Sequence, residues 1–160
     1  MPNDDDPMLD AFDYRILERW QHDTRLPAKT IADAIGLSAA AVQRRLKRLR
    51  ELGVIRREIA ELDPGKVERR VTCIVSVDLD REGVADLDRF RRKMLASPEV
   101  QQCYYVTGQN DFVLIVLVAD MQAYEAFTRR SLLADSNVRS FTTQVALERV
   151  KTGLAVNLPA

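Results

Sequence analysis

Histidine is almost absent from this chain: His22 is the only one in 160 residues. A zinc site or a histidine-based catalytic triad is hard to assemble from that. Cysteine is scarce too. Cys73 and Cys103 both sit in apolar, strand-like stretches, which reads as two buried thiols in a reducing compartment, and neither has a ligand neighbour at metal spacing. No metal and no cofactor is expected. No apolar run approaches the roughly 20 residues of a membrane helix; the longest, Phe112–Ala119, has the length of a strand. Basic residues are missing from the first thirteen positions, which carry Asp4, Asp5, Asp6, Asp10 and Asp13 instead. No secretory leader is expected there, and residues 1–8 read as an acidic tail.

Net charge is also absent, with 24 Lys and Arg against 24 Asp and Glu. Its distribution is uneven. Between 43 and 57 lie Arg44, Arg45, Lys47, Arg48, Arg50, Arg56 and Arg57 against Glu51 alone. A neutral chain with its basic charge gathered on one segment is built to meet a polyanion locally.

That segment closes a stretch that reads as three helices, residues 9–55. Asp10 and Asp13 are acidic groups at a helix start. Phe12, Ile16, Leu17 and Trp20 share one face, and Pro27 marks the next start. Ile31, Ala32 and Ile35 make the second stripe, which Gly36 ends. Ser38 caps the third helix, whose stripe is Val42, Leu46, Leu49 and Leu52, and Gly53 stops it. A small Ala32, a glycine turn at Gly36 and an apolar Val42 form a helix-turn-helix pattern. In such a unit the start of the third helix enters the major groove of double-stranded DNA. Ser38, Ala39, Ala40, Gln43 and Arg44 lie there, off the buried stripe. Gln43 suits adenine and Arg44 suits guanine. Arg45, Lys47 and Arg48 suit phosphates, which position without reading sequence. For any single arginine, a solvated surface charge is the plain alternative.

Residues 56–69 read as a linker: Val54–Asp63 as a strand, then a turn at Asp63-Pro64-Gly65. Residues 70–153 follow the order strand, helix, strand, strand, helix, strand. The strands are Val71–Leu79, Val100–Thr107, Phe112–Ala119 and Val138–Val150. Leu87, Phe90, Met94 and Leu95 mark the first helix, and Met121, Tyr124, Phe127 and Thr128 begin the second, which runs to about Leu133. This predicts an α+β chain whose C-terminal part is a ferredoxin-like βαββαβ domain, with a tail at 154–160. A sheet with one wet face should alternate, yet Phe112–Val118 is unbroken. Helices cover one face only, so a second copy of the sheet, in a homodimer, is expected on the other.

Leu9–Leu17, Ile31–Ile55 and Val106–Asp120, with a last strand near Val138–Val150, carry a resemblance to the Lrp/AsnC (feast/famine) family of transcription regulators over nearly the whole chain. The resemblance implies a non-enzymatic DNA-binding regulator in the prokaryotic cytoplasm, at the nucleoid. It implies dimers assembling further, often to octamers, and an amino-acid effector bound by the C-terminal domain. Carried onto this chain, the effector residues are Val106, Thr107, Gly108, Gln109, Asn110 and Asp111 in the turn, and Thr142 and Gln144 on the last strand. The turn's amides suit a ligand carboxylate and Asp111 suits its ammonium. Equally, Gly108 serves a hairpin and Asp111 caps it. Two rivals remain. Sirohaem decarboxylase-like enzymes share the architecture but lean on histidine and arginine around their pocket, and His22 lies outside the sensing domain. A non-DNA amino-acid-binding oligomerisation module leaves the basic helix unexplained.

Overall fold

The computed structural model describes residues 9–159, so the acidic tail at 1–8 lies outside it. The chain forms two compact units, one of residues 9–60 with 151–159 and one of 61–150.

The first unit has three helices: α1 (Ala11–Trp20), α2 (Ala28–Ile35) and α3 (Ala39–Glu51). Asp10 and Asp13 build a reciprocal cap on α1. The Asp13 amide donates to Asp10 Oδ1 at 2.9 Å, and the Asp10 amide donates to Asp13 Oδ2 at 3.2 Å; two otherwise orphaned donors are thereby satisfied. Gly36, at φ 76°, ends α2 in the left-handed conformation, and its amide and that of Leu37 both turn back to the Ala32 carbonyl. Ser38 Oγ accepts from the Ala41 amide at 3.1 Å and starts α3. Ile16, Ile31, Ala32, Ile35, Val42 and Leu46 pack into one core.

Several expectations need correction. Leu52 is 44% exposed: it is the C-cap, where the last turn carries the stripe away from the core. Leu95 is 84% exposed for the same reason, following Met94 by one residue on the last turn of its helix. Val54–Asp63 forms no strand, because a strand needs a partner ladder and none lies beside it among the described residues. Residues 151–159, which include most of the tail at 154–160, group with the first unit.

The second unit contains β1 (Val71–Leu79), α4 (Val84–Leu95), β2 (Val100–Tyr105), β3 (Phe112–Val118), α5 (Met121–Thr128) continuing into one π-helical turn (Arg129–Leu133), and β4 (Val138–Val145). The sheet order is β2-β3-β1-β4, with every neighbouring pair antiparallel. This is the ferredoxin-like arrangement. β4 stops five residues short of the expected Val150. The Ala146 amide reaches the Thr72 carbonyl, and β1 begins at Val71, so nothing remains to pair with.

Cys73, Val75, Val77, Leu114 and Val116 point to the helices and join Phe90, Phe112, Phe127 and Leu132 in the core. The opposite face carries Ile74, Val113, Ile115 and Leu117, half-buried in the single chain. Asn137, 1% exposed, clips the start of β4 to the loop after β1: its Oδ1 accepts from the Arg81 amide and its Nδ2 donates to the Arg81 carbonyl, both at 3.0 Å. Both cysteines are free thiols, Cys73 buried and Cys103 half-buried; burial raises the pKa of each.

Candidate nucleic-acid interface and effector site

Val42, Leu46 and Leu49 turn one side of α3 into the core. The 3.6-residue period then places Ala40, Gln43, Arg44, Lys47 and Arg48 outward, where all five are exposed. Ser38 is exposed too, but its hydroxyl is engaged as the helix cap; Ala39 is half-buried. No hydrogen bond or ion pair among the described residues holds Gln43 or Arg44, so both side chains are available to a ligand. Lys47 lies 3.8 Å from Glu51, one turn on.

The remaining arginines of α3 are tied to carboxylates, which the sequence pattern did not reveal. Asp13, fully buried, receives Arg45 Nη1 on Oδ1 at 2.9 Å and Arg48 Nη1 on Oδ2 at 3.0 Å. Arg45 also donates to Asp10 at 2.8 Å and lies over the Phe12 ring at 5.6 Å. The hydrogen bond to Asp13 leads in raising the Arg45 pKa, against the opposing effect of burial. The Asp10 pKa is lowered chiefly by the Asp13 amide, with Arg45 adding to it. Asp13 thus joins the cap of α1 to two cations of α3. Leu9, Asp10, Arg44, Arg45 and Arg48 line an open cleft of about 530 Å³ beside this cluster.

In the second unit the structure brings together part of the expected effector set. The turn after β2 is closed by the Val106 amide on the Asp111 carbonyl at 2.9 Å. Gly108 takes φ 121°, a conformation that favours glycine. Thr107, Gly108 and Gln109 are exposed, and Val106 is half-buried. Asp111 has a structural partner: its Oδ2 accepts the Leu79 amide at 2.7 Å, while its own amide donates to the Val77 carbonyl. Thr142 and Gln144 are exposed and stand opposite Ser76 and Ile74 of β1, on the face away from the helices.

Two residues of that neighbourhood were missed. Asp78 Oδ1 accepts from Asn110 Nδ2 at 2.9 Å, and its Oδ2 accepts from Ser140 Oγ at 2.7 Å. These two hydrogen bonds, Ser140 first, hold its carboxyl below the ordinary aspartate range. A sequence signal existed: Asp78 breaks the mixed outward row Thr72, Ile74, Ser76 with a charge at the end of the strand. Among the described residues no group of three or more His, Cys, Asp or Glu is placed to hold a metal ion, and no helix is long and apolar enough to cross a membrane.

Comparison with known proteins adds to this geometry. A family model for the AsnC-type helix-turn-helix domain matches residues 9–50, and one for the Lrp/AsnC ligand-binding domain matches residues 72–156. An HTH-type transcriptional regulator of Sinorhizobium fredii is 45% identical over 148 residues, covering 92% of this chain and 88% of the relative. The Bkd operon transcriptional regulator of Pseudomonas aeruginosa is 33% identical over 142 residues, covering 89% and 93%. Among solved structures, an AsnC family transcriptional regulator from Agrobacterium tumefaciens superposes with TM-score 0.87 at 34% identity, over 93% of this chain and 97% of that one. A transcriptional regulator from Neisseria meningitidis, solved in complex with L-Met, superposes with TM-score 0.86 at 27% identity, over 94% and 97%.

Proposed function

Because the chain belongs to the Lrp/AsnC family of transcription regulators, a DNA-binding family with a small-molecule-sensing domain, we propose that Gln43 and Arg44 read base edges while Lys47 and Arg48 meet phosphates. The observation that carries this is the exposure of Gln43 and Arg44 at the start of α3, with no hydrogen bond or ion pair holding either among the described residues. A bidentate arginine suits guanine and a glutamine suits adenine. Ser38, Ala39 and Ala40 bring the backbone of the first turn close to the groove. Arg45 takes a positioning role through Asp10 and Asp13. The test is duplex retention across a salt series. The logarithm of affinity should fall steeply with the logarithm of salt concentration, by about 0.9 per phosphate contact. Salt-insensitive or absent binding refutes the assignment.

For the second unit we propose an amino-acid effector near the 106–111 turn. The exposed amides around Gly108 receive its carboxylate. Asp78, which faces the polar row through Asn110 and Ser140, receives its ammonium, while Asp111 holds the Leu79 amide, and Asn110, Ser140, Thr142 and Gln144 complete the polar surround. Support comes from the polar row on β1 and β4 and from the L-Met bound by the Neisseria relative. A thermal-shift screen of the common amino acids tests it, since a ligand of the folded state raises the melting temperature by mass action; a flat response to all of them refutes it.

The half-buried Ile74, Val113, Ile115 and Leu117 support a homodimer through this sheet face, assembling onward to octamers. Ile115→Asp should shift the sedimenting species towards monomer, and an unchanged species refutes the face. The reading places the protein in the cytoplasm at the nucleoid, with no catalytic role.

A further inference from the structure

Two chain connections leave the DNA-binding unit: the segment after α3, and the segment 151–159 that returns from β4. The structure pins them at consecutive residues, Trp20 and Gln21, at the end of α1. Trp20 Nε1 donates to Glu58 Oε1 at 2.8 Å. The same oxygen accepts from Arg50 Nη2 at 2.8 Å and Arg50 Nε at 3.2 Å, and the Arg50 guanidinium lies 5.5 Å over the Trp20 ring. One carboxylate on the outgoing segment is therefore gripped by the last residue of α1 and by the last turn of α3. Next to it, the Gln21 carboxamide holds the returning segment. Its Nε2 donates to the Val156 carbonyl at 3.1 Å, and the Val156 amide donates to its Oε1 at 3.0 Å. A carboxamide presents a donor and an acceptor side by side, so it meets one residue's backbone as a neighbouring strand would.

The Trp20 ring packs against the edge of the core formed by Ile16, Ile31, Ala32, Ile35, Val42 and Leu46, but the polar contacts of its Nε1 and of Gln21 are made at the surface of the unit. Neither faces the exposed start of α3. Arg50 is basic and belongs to the recognition helix, and its guanidinium is engaged by Glu58. What the two contacts do share is control over where the chain enters and leaves the unit.

We propose that Trp20 and Gln21 form a two-point clamp on both chain connections, and that this clamp sets the spacing between the two half-sites that a dimer of this protein reads. The inference rests on the dimer proposed above. Half-site spacing is a geometric property of how two reading helices are held apart, and residues that fix the exits of each reading unit constrain it without touching a base.

Selection from a pool of random-sequence duplexes tests it, comparing the full-length chain with the double variant Gln21→Ala, Glu58→Ala. Both side chains lie at the surface of the unit, so helix content by circular dichroism should stay unchanged. Fluorescence from Trp20, the only tryptophan, should shift as its Nε1 loses the carboxylate. The parent should enrich paired half-sites at one spacing; the variant should enrich the same half-site sequence with that spacing preference lost. An unchanged spacing in the variant overturns the clamp alone. Loss of all enrichment with intact helices also overturns it, because the residues then serve the reader itself rather than its placement. Single half-sites selected by both proteins refute the dimer and, with it, the spacing role.

Discussion

Asp13 in the first unit and Asp111 in the second each lie beside a surface read as functional, and they work differently. Asp13 is fully buried and collects two guanidiniums and a backbone amide. Asp111 is half-buried and accepts one amide from the neighbouring strand. In the DNA-binding unit a buried carboxylate of α1 pairs with two arginines of α3, while Gln43 and Arg44 of α3 face outward. In the sensing unit the carboxylate nearest the exposed turn secures the turn, and the carboxylate one residue before the end of β1, Asp78, is the one that faces the polar row. An acidic residue beside a functional surface therefore does not by itself reveal which side it serves; its partners do.

Breaking the first half of this comparison should give the largest effect. Asp13→Ala leaves Arg45 partly buried without its main counter-charge and removes half of the α1 cap. Removing one partner of a buried pair costs about 3–5 kcal/mol; because both arginines reach solvent, we expect about 2–3 kcal/mol. Thermal unfolding should show this loss in the helical unit. A melting temperature within a degree or so of the parent would mean that the ion pairs contribute nothing to the crossing of α1 and α3.

Arg44→Ala sharpens the contrast between a charge inside and a charge outside. Among the described residues Arg44 has no structural partner, so stability should hold while discrimination at one base position falls by about 1–3 kcal/mol. Binding to matched and mismatched duplexes, compared at fixed salt, measures it. A uniform loss across sequences would make Arg44 a phosphate contact instead.

Asp111→Ala tests the second half. The Leu79 amide loses its acceptor, and an unsatisfied, partly buried donor costs about 1–2 kcal/mol. Denaturant unfolding should show that loss, with any thermal shift on adding amino acids retained. If the shift disappears while stability holds, Asp111 is a ligand residue and Asp78 is not.

Much of this was legible in the sequence because it depends on local chemistry. Asp10, Gly36 and Ser38 set helix ends through their own backbone needs, and alternation along Val71–Leu79 places one face inward. What failed was non-local. Val54–Asp63 has strand-like residues but no partner ladder, and β4 stops where β1 runs out at Val71. The ties of Arg45 and Arg48 to Asp13 depend on how α1 crosses α3 over more than 30 positions of sequence. The pairing of Asp78 with Ser140 depends on strand register 62 residues apart. Spacing within one helix reveals which residues share a face, and says nothing of which carboxylate another helix will bring to that face.

The smallest effect, and the finest test of the comparison, is the acid response of Asp78. Its pKa in the folded chain lies below the ordinary value, chiefly through Ser140 and then Asn110. A carboxyl with a lowered folded pKa binds fewer protons folded than unfolded. Its contribution to stability is complete above the unfolded pKa and is lost as pH falls through the folded one. Asp78→Asn removes that titration, so the sensing unit of the variant should lose less stability than the parent between neutral pH and the acid range. Because Asp78 is only half-buried, water screens most of the difference, and paired denaturant midpoints across the pH series are needed to resolve it. Parallel curves for the two proteins would show that Ser140 and Asn110 hold the protonated and ionised forms equally, leaving the carboxylate no preference for charge to offer an ammonium group.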